Sequence, residues 1–258
     1  MGNWVGALGR GTQQSVNRLM ELCALTCQVV AVAFPLPRTG RRMIRRVIVE
    51  QVYFTAVQAL PVIIPVALII GTTMLVQFSQ LSGAVDLGKV VVLLVLREIG
   101  PLITAVIVIL RSATAVTIEM SYMRVLHEID ALEMAGIDPL HTVCFPRLVG
   151  ITTAIVSLIM VFDLLAIIGG YAVVKGFTRL PVEGFFQQIA KGVMGADIAV
   201  GLLKGLLFGI TITVTCLYHG LGRKTQITQV PVATSRAAVD CFFYCLVINI
   251  FISFIFYI

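Results

Sequence analysis

The sequence contains little charge. Only 12% of its 258 residues are Asp, Glu, Lys or Arg, whereas 59% are hydrophobic. A soluble protein of this length needs far more polar surface than such a composition supplies. The chain must therefore use lipid as part of its solvent, and we predict an all-α integral membrane protein.

The sequence also lacks the patterns that bind metals, nucleotides or nucleic acids. Its six cysteines form no CxxC pair, and its three histidines are scattered. Residues 220–225 (GLGRKT) lack the spacing of a phosphate loop, and there is no G-x-S-x-G motif. No basic stripe of the kind that binds nucleic acid is present. We expect no catalytic residue, no metal and no cofactor in this chain, no nucleic-acid partner, and no cleavable signal peptide.

Five apolar stretches reach the length of about 20 residues that a membrane-spanning helix needs. We place these spans near residues 53–78, 88–113, 147–174, 197–219 and 237–258. Ahead of them, residues 12–34 form an apolar, helix-compatible stretch that carries Arg18 and Glu21 in its first half. We favour an amphipathic helix in the membrane interface for this stretch, with a sixth span as the alternative.

Basic residues are divided unevenly between the two sides of these spans. Thirteen lie on the side of the N-terminus and of the 114–146 connection, and four lie on the other. Cytoplasmic segments carry the excess of Lys and Arg in membrane proteins. We therefore predict a multi-pass protein with a cytoplasmic N-terminus.

The connection at residues 114–146 is unusually acidic. Its acidic residues are Glu119, Glu128, Asp130, Glu133 and Asp138. Apolar residues recur at helical spacing among them, at Met120, Met123, Ile129 and Leu132.

This connection also carries the signals that limit a helix. Arg124 and Glu128 are spaced to interact on one helix face, Gly136 can end the helix, and Pro139 prevents its continuation. We predict an amphipathic helix over about 119–135. Helices that merely lie on a membrane surface are usually basic, so this acidic one more readily meets a protein, although surface binding remains the alternative.

Four ionisable residues fall inside the predicted spans: Arg97, Glu98, Asp163 and Lys204. Each costs about 2.5–3.5 kcal/mol at the centre of a lone membrane helix. Two positive and two negative charges suggest mutual pairing or a water-filled cavity. Arg97 and Glu98 point about 100° apart on a helix, so they cannot neutralise each other. Our hypothesis is that Lys204 or Arg97 meets Glu98 or Asp163.

A basic side chain in such a cavity can also face a lipid phosphate, which suits the forked guanidinium of Arg. Purely structural pairing is the alternative. Pro101 clashes with the carbonyl group of Arg97, so we expect a kink and a freed carbonyl oxygen there. Gly201, Gly205 and Gly209 form a small-xxx-small pattern, which predicts close packing of the fourth span and places Lys204 near a neighbour.

Residues 97–147 resemble the signature of the MlaE family, the permease subunits of ABC transporters that work with MCE-domain proteins. The matching residues are Arg97–Pro101, Arg111-Ser112, Glu119, Met123-Arg124, Glu128–Glu133, Gly136–Pro139 and Pro146-Arg147. Two features depart from the family pattern. Glu128-Ile129 lacks the usual intervening Gln, and the last connection, residues 219–239, is less rich in glycine than in many members.

The resemblance implies one permease domain over residues 1–258, with an interfacial helix, five spans and a cytoplasmic coupling helix between spans 2 and 3. It implies a homodimer in the inner membrane of a bacterium, a separate cytoplasmic ABC ATPase that binds ATP and Mg²⁺, and an MCE-domain protein on the periplasmic side. The family moves lipids, mostly phospholipids, and some relatives handle sterols.

By the same resemblance, nine residues belong to the coupling region that meets the ATPase: Glu119, Met123, Arg124, Glu128, Asp130, Glu133, Gly136, Asp138 and Pro139. We assign the substrate cavity to five: Arg97, Glu98, Pro101, Asp163 and Lys204. Two functions of other classes remain open. A membrane scaffold would recruit a partner without transport, and an ion-coupled carrier would relay protons through Glu98 and Asp163. An importer of sterols or other hydrophobic molecules is the alternative within the family.

Overall fold

A computed structural model of the chain describes Met20 and residues 24–28, 41–80, 92–177, 195–222 and 226–257. These residues are helical apart from short connections and include no strand. Five helices among them are long and apolar enough to cross a membrane. They are Ile44–Gln77, Val95–Val125, Leu140–Val173, Gly195–Leu221 and Ile227–Phe256, here numbered spans 1 to 5. The predicted all-α membrane fold with five spans is confirmed.

Span 1 begins earlier than the predicted residue 53. It consists of a helix at Arg41–Thr55, a 3₁₀ turn at Val57–Ala59 and a helix at Leu60–Gln80. The first helix is amphipathic, with Ile44 buried and Arg45 and Arg46 exposed. Its charged residues do not belong to an apolar run, so the predicted span left out most of this helix, although they do not interrupt the helix itself.

Span 2 changes its hydrogen-bond pattern along its length. π-helix at Val92–Ile99 and Ile109–Ala113 alternates with α-helix at Gly100–Val108 and Thr114–Val125. The helix continues past residue 113, where we placed the end of the span, because nothing between 114 and 125 is Gly or Pro.

The predicted single helix over 119–135 is wrong, because the structure has two helices there. Its first part belongs to span 2, and Leu126 and His127 separate it from a short helix at Glu128–Met134, here called the connecting helix. His127 has a left-handed backbone with φ 56°, which no α-helix accommodates. Residues 114–146 are therefore not one loop.

Span 3 begins at Leu140 rather than at the predicted residue 147. It contains π-helix at Leu140–Cys144 and Leu165–Gly169, and α-helix at Phe145–Leu164 and Gly170–Phe177. Arg147 is no barrier at its start, because this side chain is buried and paired with Glu119. The hydropathy of an isolated sequence window does not show such pairing.

Spans 4 and 5 form a helical hairpin. Span 4 is a continuous helix at Gly195–Leu221, within two residues of the prediction. Span 5 has a 3₁₀ turn at Ile227–Gln229 and a helix at Val230–Tyr257, so it begins before the predicted residue 237. The predicted interfacial helix over 12–34 lies outside the described residues except for Met20 and residues 24–28, which are helical.

Span 4 lies at the centre of the bundle and packs against spans 2, 3 and 5. Two glycines of the predicted small-residue pattern make the close contacts. A Cβ atom on Gly209 would lie 2.5 Å from the Cα atom of Thr152, and one on Gly205 would lie 3.0 Å from Ile159. Gly201 differs, since a Cβ atom there would meet nothing within 4 Å.

Candidate functional site

Lys204 is the most deeply buried charged side chain of the described residues, with none of its surface exposed. Its ammonium nitrogen Nζ lies 2.6 Å from the carbonyl oxygen of Arg97, 2.8 Å from Oγ of Ser253 and 3.3 Å from Oε1 of Glu98. An ammonium group has three N–H donors, and these three oxygens match them in number. The buried charge is thus hydrogen-bonded and paired, as burial requires.

The carboxylate of Glu98 completes this cluster. Its Oε1 accepts a hydrogen bond from Oγ of Ser253, and its Oε2 accepts one from Nδ2 of Asn249 at 2.8 Å. Hydrogen bonds to an ionised group are stronger than neutral ones. Glu98 is on span 2, Lys204 on span 4, and Asn249 and Ser253 on span 5, so one polar cluster joins three spans.

Pro101 determines one of these contacts. Proline has no N–H to give to the carbonyl group four residues before it, which is that of Arg97. The helix changes from π to α at this point, between Ile99 and Gly100. The carbonyl oxygen of Arg97 instead receives the ammonium group of Lys204.

Arg97 pairs with a residue that the sequence did not point to. Its Nη2 lies 2.8 Å from Oδ1 of Asp197, and the two side chains are 19% and 2% exposed. Asp197 lies in the first turn of span 4, where the helix dipole also favours an acidic side chain. Arg97 and Glu98 thus contact different partners. The hypothesis that Lys204 or Arg97 meets Glu98 or Asp163 is confirmed for Lys204 and Glu98. Neither basic residue pairs with Asp163.

Asp163 lies against span 2 at Gly100. A Cβ atom on Gly100 would stand 2.1 Å from Oδ1 of Asp163, so only glycine fits there. That buried oxygen has no hydrogen-bond partner among the described residues. Asp163 therefore lies against Gly100, two residues along the chain from Glu98 of the polar cluster, but it takes part in neither ion pair.

The connecting helix lies at the other end of spans 2 and 3. Ile129 is its buried anchor, at 4% exposure, whereas Met134 is 84% exposed. Glu128 and Glu133 are exposed on the same helix. This end of the bundle therefore presents acidic and apolar groups together, which is a typical feature of interaction surfaces.

Asp130 fixes the break before the connecting helix. Its carboxylate lies 2.7 Å from Nδ1 of His127 and 2.7 Å from Nη1 of Arg124. The hydrogen bond to His127, together with the positive charge of Arg124, holds the pKa of Asp130 below its usual range. Asp130 thus bridges the end of span 2 and the first turn of the connecting helix.

Gly136 ends the connecting helix as predicted. Its φ is +74°, the N–H of Gly136 donates to the carbonyl of Glu133 at 3.0 Å, and that of Ile137 donates to Leu132 at 2.9 Å. This pair of bonds is the Schellman motif. Asp138 then begins the next helix, because its Oδ1 accepts the N–H of Leu140 at 2.9 Å. Pro139 lies between Asp138 and Leu140, directly before the next helix, so the connection is short and well defined.

Glu119, assigned to the coupling region, makes its ion pair within the chain. Its Oε1 lies 2.6 Å from Nη2 of Arg147, which also donates from Nη1 to the sulfur of Met120 at 2.7 Å. Arg147 is buried, so this pair ties span 2 to span 3. Met123 is half-buried and packs against the core.

A cavity of about 510 Å³ opens beside this pair. Its lining comes from the Arg41–Thr55 helix of span 1, from span 2, from the connecting helix and from span 3. The lining residues are Val47, Glu50, Glu119, Tyr122, Met123, Glu128, Thr142, Val143 and Arg147. A smaller groove of about 330 Å³ adjoins it, lined by Met123, Glu128, Ala131 and Leu132. The assigned coupling residues Met123 and Glu128 line both.

The remaining ionisable and thiol groups suggest packing rather than chemistry. His219 on span 4 lies 2.8 Å from Asp240 on span 5. Cys216, Cys241 and Cys245 are buried between these spans. Within the described ranges, no three His, Cys, Asp or Glu side chains converge as metal ligands would.

Sequence patterns missed Asp197, Asn249 and Ser253. Asp197 stood at the edge of a predicted span, where an acidic residue raises no question. Asn249 and Ser253 are neutral and scarcely alter the hydropathy of span 5. The available signal was the spacing of Asn249 and Ser253, which are four residues apart and therefore lie on one face of span 5.

Comparison with known proteins identifies the family. The family model described as Permease MlaE matches residues 48–255, which include parts of all five spans. The "Intermembrane phospholipid transport system permease protein MlaE" of Haemophilus influenzae is 28% identical over 208 residues, 78% of this chain and 80% of the relative. A "Probable ABC transporter permease protein" of Rickettsia conorii is 28% identical over 216 residues, 81% of this chain and 83% of the relative. Another of that name from Synechocystis is 26% identical over 254 residues, 95% and 94% of the two chains. This chain therefore belongs to the MlaE family of ABC transporter permeases.

Proposed function

We propose that this permease moves phospholipids between the inner membrane of a bacterium and an MCE-domain protein on the periplasmic side. The family match over residues 48–255 carries the proposal, because it includes a relative named for intermembrane phospholipid transport. That name favours phospholipid over sterol as the substrate.

The energy for transport then comes from a separate cytoplasmic ABC ATPase, which binds ATP and Mg²⁺. The connecting helix is the surface that we assign to it. It is anchored by Ile129 and presents Glu128, Glu133 and Met134 outward. The distribution of basic residues supports a cytoplasmic position for this end of the bundle and for the N-terminus.

A homodimer fits the exposed side of span 5. Phe243, Phe251 and Phe254 are each 64% exposed in the single chain. A membrane helix buries such side chains against lipid or another helix. We propose that part of this face meets a second copy and that the substrate cavity forms near it.

The polar cluster supports transport over the two alternatives of other classes. A proton relay from Glu98 to Asp163 needs the two carboxyl groups joined by a hydrogen bond or by water, and the carboxylate of Glu98 is bonded to Lys204, Asn249 and Ser253 instead. A scaffold needs only apolar packing inside its bundle, whereas this bundle keeps two ion pairs between its spans, at a cost in the membrane.

Reconstitution tests the transport function. Proteoliposomes that contain the permease, its ATPase and the MCE-domain protein are expected to deliver labelled phospholipid to or from the MCE-domain protein only with ATP. Mass spectrometry of the lipids that co-purify with the complex identifies the substrate. Transfer that is independent of ATP, or bound sterol in place of phospholipid, would count against the proposal.

Charge reversal on the connecting helix tests the ATPase contact. Glu128→Lys and Glu133→Lys are expected to weaken ATPase co-purification at least roughly tenfold, a change of about 1.4 kcal/mol, while membrane abundance stays normal. Glu133→Gln serves as the graded control and should have a smaller effect. Asp130→Lys is less clean, since Asp130 also holds Arg124 and His127. Unchanged co-purification with both Lys variants would exclude this surface.

A further inference from the structure

Five buried or half-buried charged side chains of the described residues lie at the end of the bundle opposite the connecting helix: Arg97, Glu98, Asp163, Asp197 and Lys204. Arg97 pairs with Asp197, and Lys204 pairs with Glu98. Asp163 belongs to neither of these two pairs.

No charged group of the described neighbouring helices faces Asp163. On span 2, Arg97 pairs with Asp197 and Glu98 pairs with Lys204. Asp197 and Lys204 belong to span 4, so the charged groups of both spans at this end are paired with each other. The described part of span 1 at Leu60–Gln80 contains no Asp, Glu, Lys, Arg or His. Among the described residues, a carboxylate at residue 163 would therefore have no counter-ion and, at Oδ1, no hydrogen-bond donor.

The packing at Gly100 leaves no room for such a donor. The position that a Cβ atom would take on Gly100 lies 2.1 Å from Oδ1 of Asp163 and 2.9 Å from the carbonyl oxygen of Val95. Oδ1 thus packs against a glycine, which brings no side-chain donor to it. A carboxylate there would leave a charged oxygen without a hydrogen bond, whereas a carboxylic acid leaves only a neutral one.

We propose that Asp163 is a proton-binding site, which holds a neutral carboxylic acid while spans 2 and 3 pack at Gly100. Loss of the proton creates an unpaired charge that needs water or a cation. Spans 2 and 3 must separate at Gly100 to admit either one. Proton release is therefore coupled to separation of these two spans, whichever lipid the permease carries.

Thermal unfolding of the purified permease in detergent tests the protonation state. The folded protein then holds a proton that the unfolded chain releases, so wild-type Tm should fall as pH rises from about 6 to about 9. Asp163→Asn keeps the shape and neutrality of the acid. Its Tm should therefore not show the decrease with pH that is due to Asp163, and its membrane abundance should stay within about twofold of the wild type. Glu98→Gln is the matched control and should lose abundance, because it leaves Lys204 without its counter-ion.

Two results would overturn the proposal. One is an Asp163→Asn variant whose Tm falls with pH as steeply as that of the wild type. The other is an Asp163→Asn variant that loses as much abundance as Glu98→Gln, which would show that a charge is needed at residue 163.

Labelling with a hydrophobic carbodiimide gives an independent measurement. The O–H of a neutral carboxyl adds across a C=N bond of the reagent: the carboxyl oxygen bonds to the central carbon and the proton goes to nitrogen, with no leaving group. In membranes near neutral pH, peptide mass spectrometry should find the adduct on Asp163 and not on Glu98. Labelling of Glu98 in preference to Asp163 would contradict the assignment. Neither measurement depends on lipid transfer, so failure here is distinct from failure of the proposed function.

Discussion

The ammonium nitrogen of Lys204 on span 4 lies 2.6 Å from the backbone carbonyl oxygen of Arg97 on span 2. This is the carbonyl that Pro101 leaves without its α-helical donor. The proline and the lysine therefore act together, although they lie on different spans. The proline creates an acceptor inside the membrane, and the lysine meets it with a charge that Glu98 neutralises.

Replacing Lys204 by Met should destabilise the bundle strongly. The substitution leaves the carboxylate of Glu98 and the carbonyl of Arg97 without their shared donor. Removing one partner of a buried ion pair costs about 3–5 kcal/mol. We expect a large loss of membrane abundance and a lower Tm in detergent. Lys175→Met, at an exposed lysine, is the control and should change neither.

A double variant separates the charge from the packing. Lys204→Met combined with Glu98→Gln removes both charges, so it should recover part of the Tm that Lys204→Met loses. A double variant as unstable as the sum of the two single variants would show that the two side chains are not coupled.

The glycines of span 4 give a matched pair of substitutions. Gly209→Val places a side chain against the backbone of Thr152, whereas Gly201→Val enters open space. Overpacking a tight contact costs about 1–3 kcal/mol. We expect Gly209→Val to lower Tm clearly and Gly201→Val to lower it little. Equal effects would mean that the spans shift freely at this contact.

The sequence predicted the elements that depend on local chemistry. Long apolar runs identified all five spans, since a membrane helix needs only length and apolar composition. Gly136 was predictable as a helix end, because few other residues accept its positive φ. Contacts between distant residues were less accessible. The pairing of Arg97 with Asp197 depends on how spans 2 and 4 lie in space.

The ends of the helices differ from the predicted span limits for a related reason. Span 2 was predicted to end at residue 113, yet Arg111 donates to the carbonyl of Phe54 at 2.9 Å and to Gln58 at 2.7 Å while the helix continues. A charged residue ends an apolar run without ending a helix. The break at Leu126 and His127 had no signal in residue type, since neither residue is Gly or Pro. Asp130 stabilises it by side-chain contacts with His127 and Arg124, which form only once the chain has turned there.

Gly136→Val should loosen the connecting helix without unfolding the bundle. A β-branched residue is strained at φ +74°, at a cost of about 1–2 kcal/mol. Hydrogen exchange at residues 128–137 should become faster, while the Tm of the bundle changes little. Gly195→Val is the control, because Gly195 has no positive φ and a Cβ atom there meets nothing within 4 Å. Unchanged exchange in Gly136→Val would show that the Schellman motif does not limit opening of this helix.

The role of Arg97 in transport is separable from its role in folding. Arg97→Gln and Asp197→Asn each remove one partner of this ion pair, so both should lower membrane abundance. The double variant removes both charges and should restore abundance. Because the side chain of Arg97 remains 19% exposed while that of Asp197 is 2% exposed, we expect Arg97 also to contact the lipid phosphate.

The double variant should then transfer phospholipid at least roughly tenfold more slowly than the wild type at equal abundance, a loss of about 1.4 kcal/mol. The measurement is ATP-dependent transfer in proteoliposomes, normalised to the amount of permease. Normal transfer by the double variant would assign Arg97 to structural pairing with Asp197 alone. Asp197→Asn combined with Arg97→Lys is the matching control: it restores a positive charge without the guanidinium fork, so partial recovery of transfer would indicate that charge matters more than bidentate geometry.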